Sequence, residues 1–311
     1  MSFLYLLEDI RNPVLDFFFS IITLFGEETI FMAVGMIVFW CIDKFKGYYL
    51  LCVGFFGTVI NQFLKIVFRI PRPWVKDPNF TIVESAREAA SGYSFPSGHT
   101  QCSVGLYGGI SRITNNKALR VVMIVLSALI GLSRMYLGVH TPADVLVSVA
   151  IATALIFIAY PIFKEAQKSP KVMYAVLFFF LAVIIAYNCF VVFNDLALGG
   201  STIEEAANYS SAVENGFTLL GCALGLICIY FLDSKWIHFE TKAVWWAQII
   251  KVLGGIALVL LVKEGLRDPL VALFDSKLVA RTIRYFVMVI VGGALWPMTF
   301  RFFSKLGNKK S

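Results

Sequence analysis

Apolar runs about as long as a bilayer crossing recur down this chain, and they constrain its fold more than any other feature. In a membrane core every backbone N–H and C=O must be satisfied within the protein, so such a run crosses as a helix. The runs lie at about 27–42, 47–68, 97–114, 119–138, 142–163, 172–194, 213–232, 246–265 and 282–300, which predicts nine spans. Composition agrees. Hydrophobic residues make up 59% of the chain and charged residues 15%, against roughly 25% charged in a soluble domain. The predicted fold class is all-α: a polytopic membrane helical bundle. Residues 1–26 are apolar but interrupted by Glu8, Asp9, Arg11, Pro13 and Asp16, and read as an interfacial or broken N-terminal helix.

The net charge of +7 calls for no nucleic-acid partner, because cytoplasmic loops of membrane proteins collect Lys and Arg. If the spans alternate, Lys44, Lys46, Arg112, Lys117, Arg120, Lys164, Lys168, Lys171, Lys235, Lys242, Arg301, Lys305, Lys309 and Lys310 share one side. That side is the predicted cytoplasmic face. Arg267, Lys277, Arg281 and Arg284 fall against the rule. Segments 69–96 and 195–212 and the turn 139–141 then face outward. The first holds four prolines and many charges; the second, with Glu204, Glu205 and Glu214 nearby, reads as a solvated loop. The six cysteines form no Cys-x-x-Cys pair and read as buried thiols.

Three polar clusters land on the outward side. Lys65 and Arg72 close the second predicted span. Pro96-Ser97-Gly98-His99 opens the third. Ser133, Arg134, Tyr136, His140 and Asp144 run from the fourth into the fifth. Ionisable groups at membrane depth are costly and mark function by default. These residue types suit a phosphate. Lys65, Arg72 and Arg134 bring charge, and the arginines bring forked donors. Ser97 and Gly98 open a helix whose N–H groups and dipole favour an anion. Of two histidines, one can attack phosphorus while the other protonates the leaving oxygen. Asp144, one turn after His140, can hold that imidazole.

Each piece has a plainer reading: Lys65 and Arg72 as snorkelling anchors, Pro96-Ser97 as a helix start, Thr141 and Asp144 as a cap, His99 as an interface histidine. Their convergence favours the site. His238, on the other side, reads as a loop residue, and Arg69, Lys76 and Arg87 as solvated charges. Two histidines and an aspartate could hold zinc, but three adjacent cations would repel it.

The pattern Lys65-x6-Arg72-Pro73, Pro96-Ser97-Gly98-His99 and Ser133-Arg134-x5-His140-x3-Asp144 resembles the three-part signature of the type 2 phosphatidic acid phosphatase family. That family includes bacterial undecaprenyl-diphosphate phosphatases. The resemblance covers a six-helix core at 27–194, leaving 195–311 as about three additional C-terminal transmembrane helices. It implies His140 as nucleophile through a phosphohistidine, Asp144 as its orienting group and His99 as general acid. It implies Lys65, Arg72, Ser97, Gly98 and Arg134 as phosphate ligands, with Ser133, Pro96 and Tyr136 supporting, and neither metal nor cofactor. The expected protein is an integral lipid phosphatase of the cell membrane, its site on the outer face and its substrate a membrane lipid phosphate or diphosphate.

Undecaprenyl diphosphate leads among the substrates, before phosphatidate, phosphatidylglycerol phosphate and a sphingoid-base phosphate. Lipid phosphotransfer is the second enzymatic reading, and a lipid transporter or scramblase the alternative of another class. The extra spans are open to three roles: a homodimer contact, a partner site or a wall for lipid entry.

Overall fold

A computed structural model of the chain describes residues 1–87, 90, 92–195 and 203–306. Of the segment 195–212 read as a solvated loop, residues 196–202 lie outside the described residues, as do the side chain of Glu204, Lys309 and Lys310; from Ile203 the segment is not a loop but the start of a long helix that carries Glu205 and Glu214. Every element among those described is helical: α1 (Ser2–Asp9), α2 (Pro13–Leu24), α3 (Glu28–Ile37), α4 (Lys44–Phe68), α5 (Pro73–Lys76), α6 (Gly98–Ser103), α7 (Gly109–Ile113), α8 (Lys117–Tyr136), α9 (Pro142–Ala166), α10 (Pro170–Asp195), α11 (Ile203–Leu232), α12 (Trp245–Gly265), α13 (Arg267–Phe274), α14 (Lys277–Ile290), α15 (Trp296–Met298) and α16 (Phe300–Lys305). Short π turns at Val38–Ile42 and Val104–Gly108 extend α3 and join α6 to α7.

Seven helices among the described residues are long and apolar enough to cross a membrane, or up to eight if one bent pair counts as a span. The run predicted at 27–42 is one arm of that pair, Pro13–Leu24 with Glu28–Ile42, which bends by 49°. The run predicted at 97–114 is helical from Gly98 to Ile113. Sequence starts these helices in the expected way. Asn12 accepts from the N–H groups of Val14 and Leu15 with Pro13 at the first helical position, and Asn116 accepts from Leu119 N; each satisfies donors a helix start leaves orphaned. The large apolar side chains left exposed along α8 to α10, such as Val121, Val122, Leu146, Phe157 and Phe179, make the surface a bilayer requires. Of the cysteines, Cys52, Cys102 and Cys222 are buried, but Cys189 is exposed; it sits on a membrane-facing helix, where lipid accepts a thiol as readily as a core does.

The chain divides into two units. The first includes Met1–Gly35 and Tyr49–Ile162. Two of its apolar clusters lie around the end of α8: Phe19, Ala86, Ala90, Tyr136, Leu137 and Val139 form one, and Leu4, Phe80 and Ile82 the other. α2 runs along α8, with the Phe19 and Tyr136 rings 4.3 Å apart.

The second unit includes Met36–Tyr48, α10 and the residues from Ala212 on. Gly221 and Gly225 let α11 approach α14 closely. A Cβ on Gly221 would strike the Thr282 carbonyl, and one on Gly225 would lie 2.6 Å from Val289 Cβ. This is the small-residue packing used between membrane helices, and Thr282 Oγ1 adds a hydrogen bond to Phe217 O at 3.0 Å. Arg281, one of the cations against the charge rule, pairs with Glu214. Lys251 is fully buried; its ammonium donates to the carbonyls of Trp40 and Thr241, both at 2.9 Å.

Because the obstacle at Gly221 is backbone, Gly221→Leu is expected to destabilise the protein by about 1–3 kcal/mol or more. Thermal unfolding in detergent checks this, with Gly265→Ala as control. Nothing lies within 4 Å of a Cβ at Gly265, so its midpoint should not fall.

Candidate functional site

The three polar clusters meet in the first unit. Lys65 closes α4, and a Cβ on Gly92 would stand 3.9 Å from its Nζ. Arg72 precedes α5 with its side chain turned inward and only 4% exposed. Its Nε donates to Gly92 O at 2.9 Å and its Nη1 to Val139 O at 3.0 Å. The same Nη1 lies 3.0 Å from His140 Nε2. A guanidinium has no acceptor, so this contact requires a lone pair on Nε2 and places the imidazole proton on Nδ1. Nδ1 faces Asp144 Oδ2 at 3.5 Å. His140 lies in the turn between α8 and α9. Burial, and then the charge of Arg72, push it well below its ordinary pKa, so the ring is neutral at pH 7.

Asp144 is anchored as firmly as the ring it faces. Its Oδ2 accepts from Ser94 Oγ at 2.6 Å and from Thr141 N at 2.7 Å, and the residue is 1% exposed. Ser97 N donates to Asp144 O at 3.2 Å. Ser148 Oγ reaches both Ser97 O, at 2.9 Å, and Asp144 O, at 2.8 Å. The start of α6 is thereby strapped to the start of α9. The turn that carries His140 passes through Gly138 at φ +81, where a Cβ would stand 2.8 Å from Arg11 Nη2 and 3.0 Å from Thr81 O; only glycine suits it.

Arg134, in the last turn of α8, is 1% exposed. Its Nη1 donates to Thr23 Oγ1 at 2.6 Å, while Nε and Nη2 are buried without a hydrogen-bond partner. His99 Nε2 is buried and unpartnered as well. The charges of Lys65, Arg72 and Arg134 act on both histidines. The ensemble therefore offers three cations, one neutral imidazole whose Nε2 lone pair meets the Arg72 guanidinium, a second imidazole nitrogen and a carboxylate behind the first ring. Such a group can hold a tetrahedral oxyanion and attack its centre.

Other predicted residues serve differently. The Ser97 hydroxyl caps α6, accepting from Thr100 N and from Thr100 Oγ1 at 2.9 Å, so at this helix start the free backbone N–H groups are the ones left for an anion. Ser133 Oγ bonds back to Ile130 O at 2.7 Å within α8. Tyr136 reaches Asp16 at 2.7 Å and secures α2. Pro96 is buried after a cis peptide bond, and its carbonyl takes Asn61 Nδ2 at 3.3 Å. Sequence reading missed Ser94, Ser148, Asn61 and Thr23. Ser94 stands two residues before Pro96, close enough to the motif to have been flagged. The other three are single small polar residues inside apolar helices and gave no signal.

Two family models match. One described as PAP2 superfamily covers residues 45–168, and one described as PAP2 superfamily phosphatase, transmembrane extension, covers residues 217–309. Among curated proteins, a probable sphingosine-1-phosphate phosphatase of Dictyostelium discoideum is 31% identical over 159 residues, 47% of this chain and 38% of that one. Undecaprenyl-diphosphatase BcrC of Bacillus subtilis (strain 168) is 32% identical over 107 residues, 34% of this chain and 52% of that one. Sphingosine-1-phosphate phosphatase 2 of Homo sapiens is 27% identical over 187 residues, 58% of this chain and 46% of that one. The chain thus spans about half the length, or less, of these three curated relatives.

The tautomer argument is testable without substrate. With only three histidines in the chain, a ¹⁵N-histidine-labelled sample at pH 7 should show His140 neutral and protonated on Nδ1. A doubly protonated ring, or a proton on Nε2, would contradict the geometry.

Proposed function

Because the chain belongs to the PAP2 superfamily, we propose that it is an integral membrane phosphatase that removes phosphate from a lipid through a phosphohistidine at His140. The observation that carries this reading is the Arg72–His140–Asp144 line, with the Nε2 lone pair held 3.0 Å from the guanidinium and Asp144 behind Nδ1. Nε2 attacks phosphorus, and the bond from phosphorus to the lipid oxygen breaks. His99 gives that oxygen its proton. The positive charge then on the phosphorylated ring faces Asp144 across Nδ1–H. Water next attacks phosphorus as His99 takes its proton, and inorganic phosphate leaves with Nε2 restored. Lys65, Arg72, Arg134 and the backbone N–H groups at the start of α6 balance the charge on the phosphoryl oxygens throughout. In this scheme the three cations do the work that a metal ion would otherwise do.

The substrate placed first is undecaprenyl diphosphate, and the membrane the cell membrane. An outward-facing site suits such a carrier. Charge supports that orientation: Arg112 lies in the last turn of α7, and α8 begins with Lys117 and Arg120, away from its site-bearing end, and cations of this kind collect on the cytoplasmic side. A sphingoid-base phosphate is the second reading, favoured by the similarity over 47% of this chain to the Dictyostelium protein so named.

Phosphate release by the purified protein in detergent with excess EDTA tests the reading. The panel is undecaprenyl diphosphate, phosphatidate, phosphatidylglycerol phosphate and sphinganine phosphate, each beside His140→Ala. Release is expected to survive chelation and to fall on the order of 1,000-fold or more in the variant. Loss on chelation, or equal rates in the variant, would refute the mechanism, and the fastest lipid identifies the substrate class.

A further inference from the structure

We propose that Thr23, on the N-terminal helix α2, is a positioning residue of the phosphate site: its hydroxyl sets the direction of the Arg134 guanidinium. The inference rests on the phosphatase reading for its kinetic arm and on geometry for the rest. Arg134 Nη1 donates to Thr23 Oγ1 at 2.6 Å across 111 residues of chain. Both residues are buried, Thr23 to 8% exposure and Arg134 to 1%. A guanidinium is a rigid planar fork, so fixing one nitrogen leaves its plane few orientations. The two nitrogens of Arg134 without a partner, Nε and Nη2, are then aimed by the Thr23 contact. Arg72, by comparison, is fixed by two backbone carbonyls.

The helix that carries Thr23 is itself held in register against α8. Arg11 Nε donates to Tyr136 O at 3.0 Å, Tyr136 OH donates to Asp16, and the Phe19 ring lies on Tyr136. Moving along α8 from Tyr136 to Arg134 to Ile130 meets α2 at Asp16, then Thr23, then the break after it, so the two helices run antiparallel. At that break Tyr107 OH donates to Phe25 O at 2.9 Å. A Cβ on Gly26 would stand 2.7 Å from Ile130 Cγ2 and 3.3 Å from His99 Cβ. The break therefore rests on the second histidine while Thr23 holds the arginine. Residues 1–44 precede the stretch that the first family model matches, so this chain draws a member of its phosphate site from outside the matched region.

The test uses the full chain, purified in detergent, as Thr23→Val, Thr23→Ala and Thr23→Ser. One arm measures kcat and KM on the fastest lipid of the panel. A second measures the rise in thermal midpoint produced by inorganic phosphate and by orthovanadate, which needs no turnover. Losing a hydrogen bond to a charged group predicts a fall in kcat/KM and in phosphate affinity of about tenfold or more for Thr23→Val. Thr23→Ser should stay within about threefold of wild type. In a cycle with Arg134→Lys, the Thr23→Val loss should largely vanish, because the two changes remove one interaction.

Wild-type values in Thr23→Val would overturn the proposal. So would a Thr23→Ser loss equal to that of Thr23→Val, which would make the role one of packing, or failure of both Thr23→Val and Thr23→Ala to fold. A wild-type protein that binds phosphate but releases none from any lipid would sink the phosphatase reading and leave the Thr23 test standing on the binding arm.

Discussion

A guanidinium cannot stay inside a membrane protein without partners that replace water, and the first unit is organised around two of them. An unpaired buried charge costs several kcal/mol or more. Arg72 is held by the carbonyls of Gly92 and Val139. Neither carbonyl belongs to a helix, because helix carbonyls are committed to their own ladder. The need for free carbonyls at this depth explains why irregular backbone lies here, within protein, as it must in a bilayer. The loop carrying Gly92 is tied in turn by Ser94 N to Ile70 O at 2.8 Å, and by Ser94 Oγ to Asp144. Removing a tie in this chain would loosen the hold on Arg72 and the seat of the His140 ring together.

The carboxylate behind His140 follows the same logic. Asp144 Oδ2 already accepts two hydrogen bonds, from Ser94 and from Thr141, and its 3.5 Å separation from His140 Nδ1 is longer than a good hydrogen bond. Its charge is thus stabilised without help from the imidazole, and the ring is steered more than gripped. Contacts of this kind often tighten only as charge develops on the ring.

Much of this was legible in the sequence, for physical reasons. Apolar length reports a crossing directly, so the long helices fell where the runs lie. The polar clusters were visible because Lys65, Arg72, His99, Arg134, His140 and Asp144 are costly where they stand. Less was legible where a residue's type is unremarkable for its place. Thr23 inside an apolar helix looks like any β-branched filler. The bend between α2 and α3 depends on how Gly26 seats against Ile130 and His99, a contact over about a hundred residues of chain that no local pattern encodes. Tyr136 was grouped with the site because it neighbours Arg134 in sequence, yet its hydroxyl turns to Asp16. Ser97 was read for its backbone N–H, which donates to Asp144 O, a partner 47 residues on that no local pattern shows.

The helical run from Gly98 to Ile113 is short for a membrane. At 1.5 Å per residue it reaches about 24 Å, against a hydrocarbon layer of about 30 Å. With Arg112 placed at the headgroups of one leaflet, His99, thirteen residues back and about 20 Å away, would fall about 10 Å short of the opposite boundary. On the proposed function, a lipid phosphate meeting His99 would then lie deeper than its neighbours in the same leaflet. Either the headgroup sinks or the bilayer thins around the protein. Bilayer thickness thus becomes a variable of the reaction, with thinner membranes bringing the phosphate nearer to the bond that is to break.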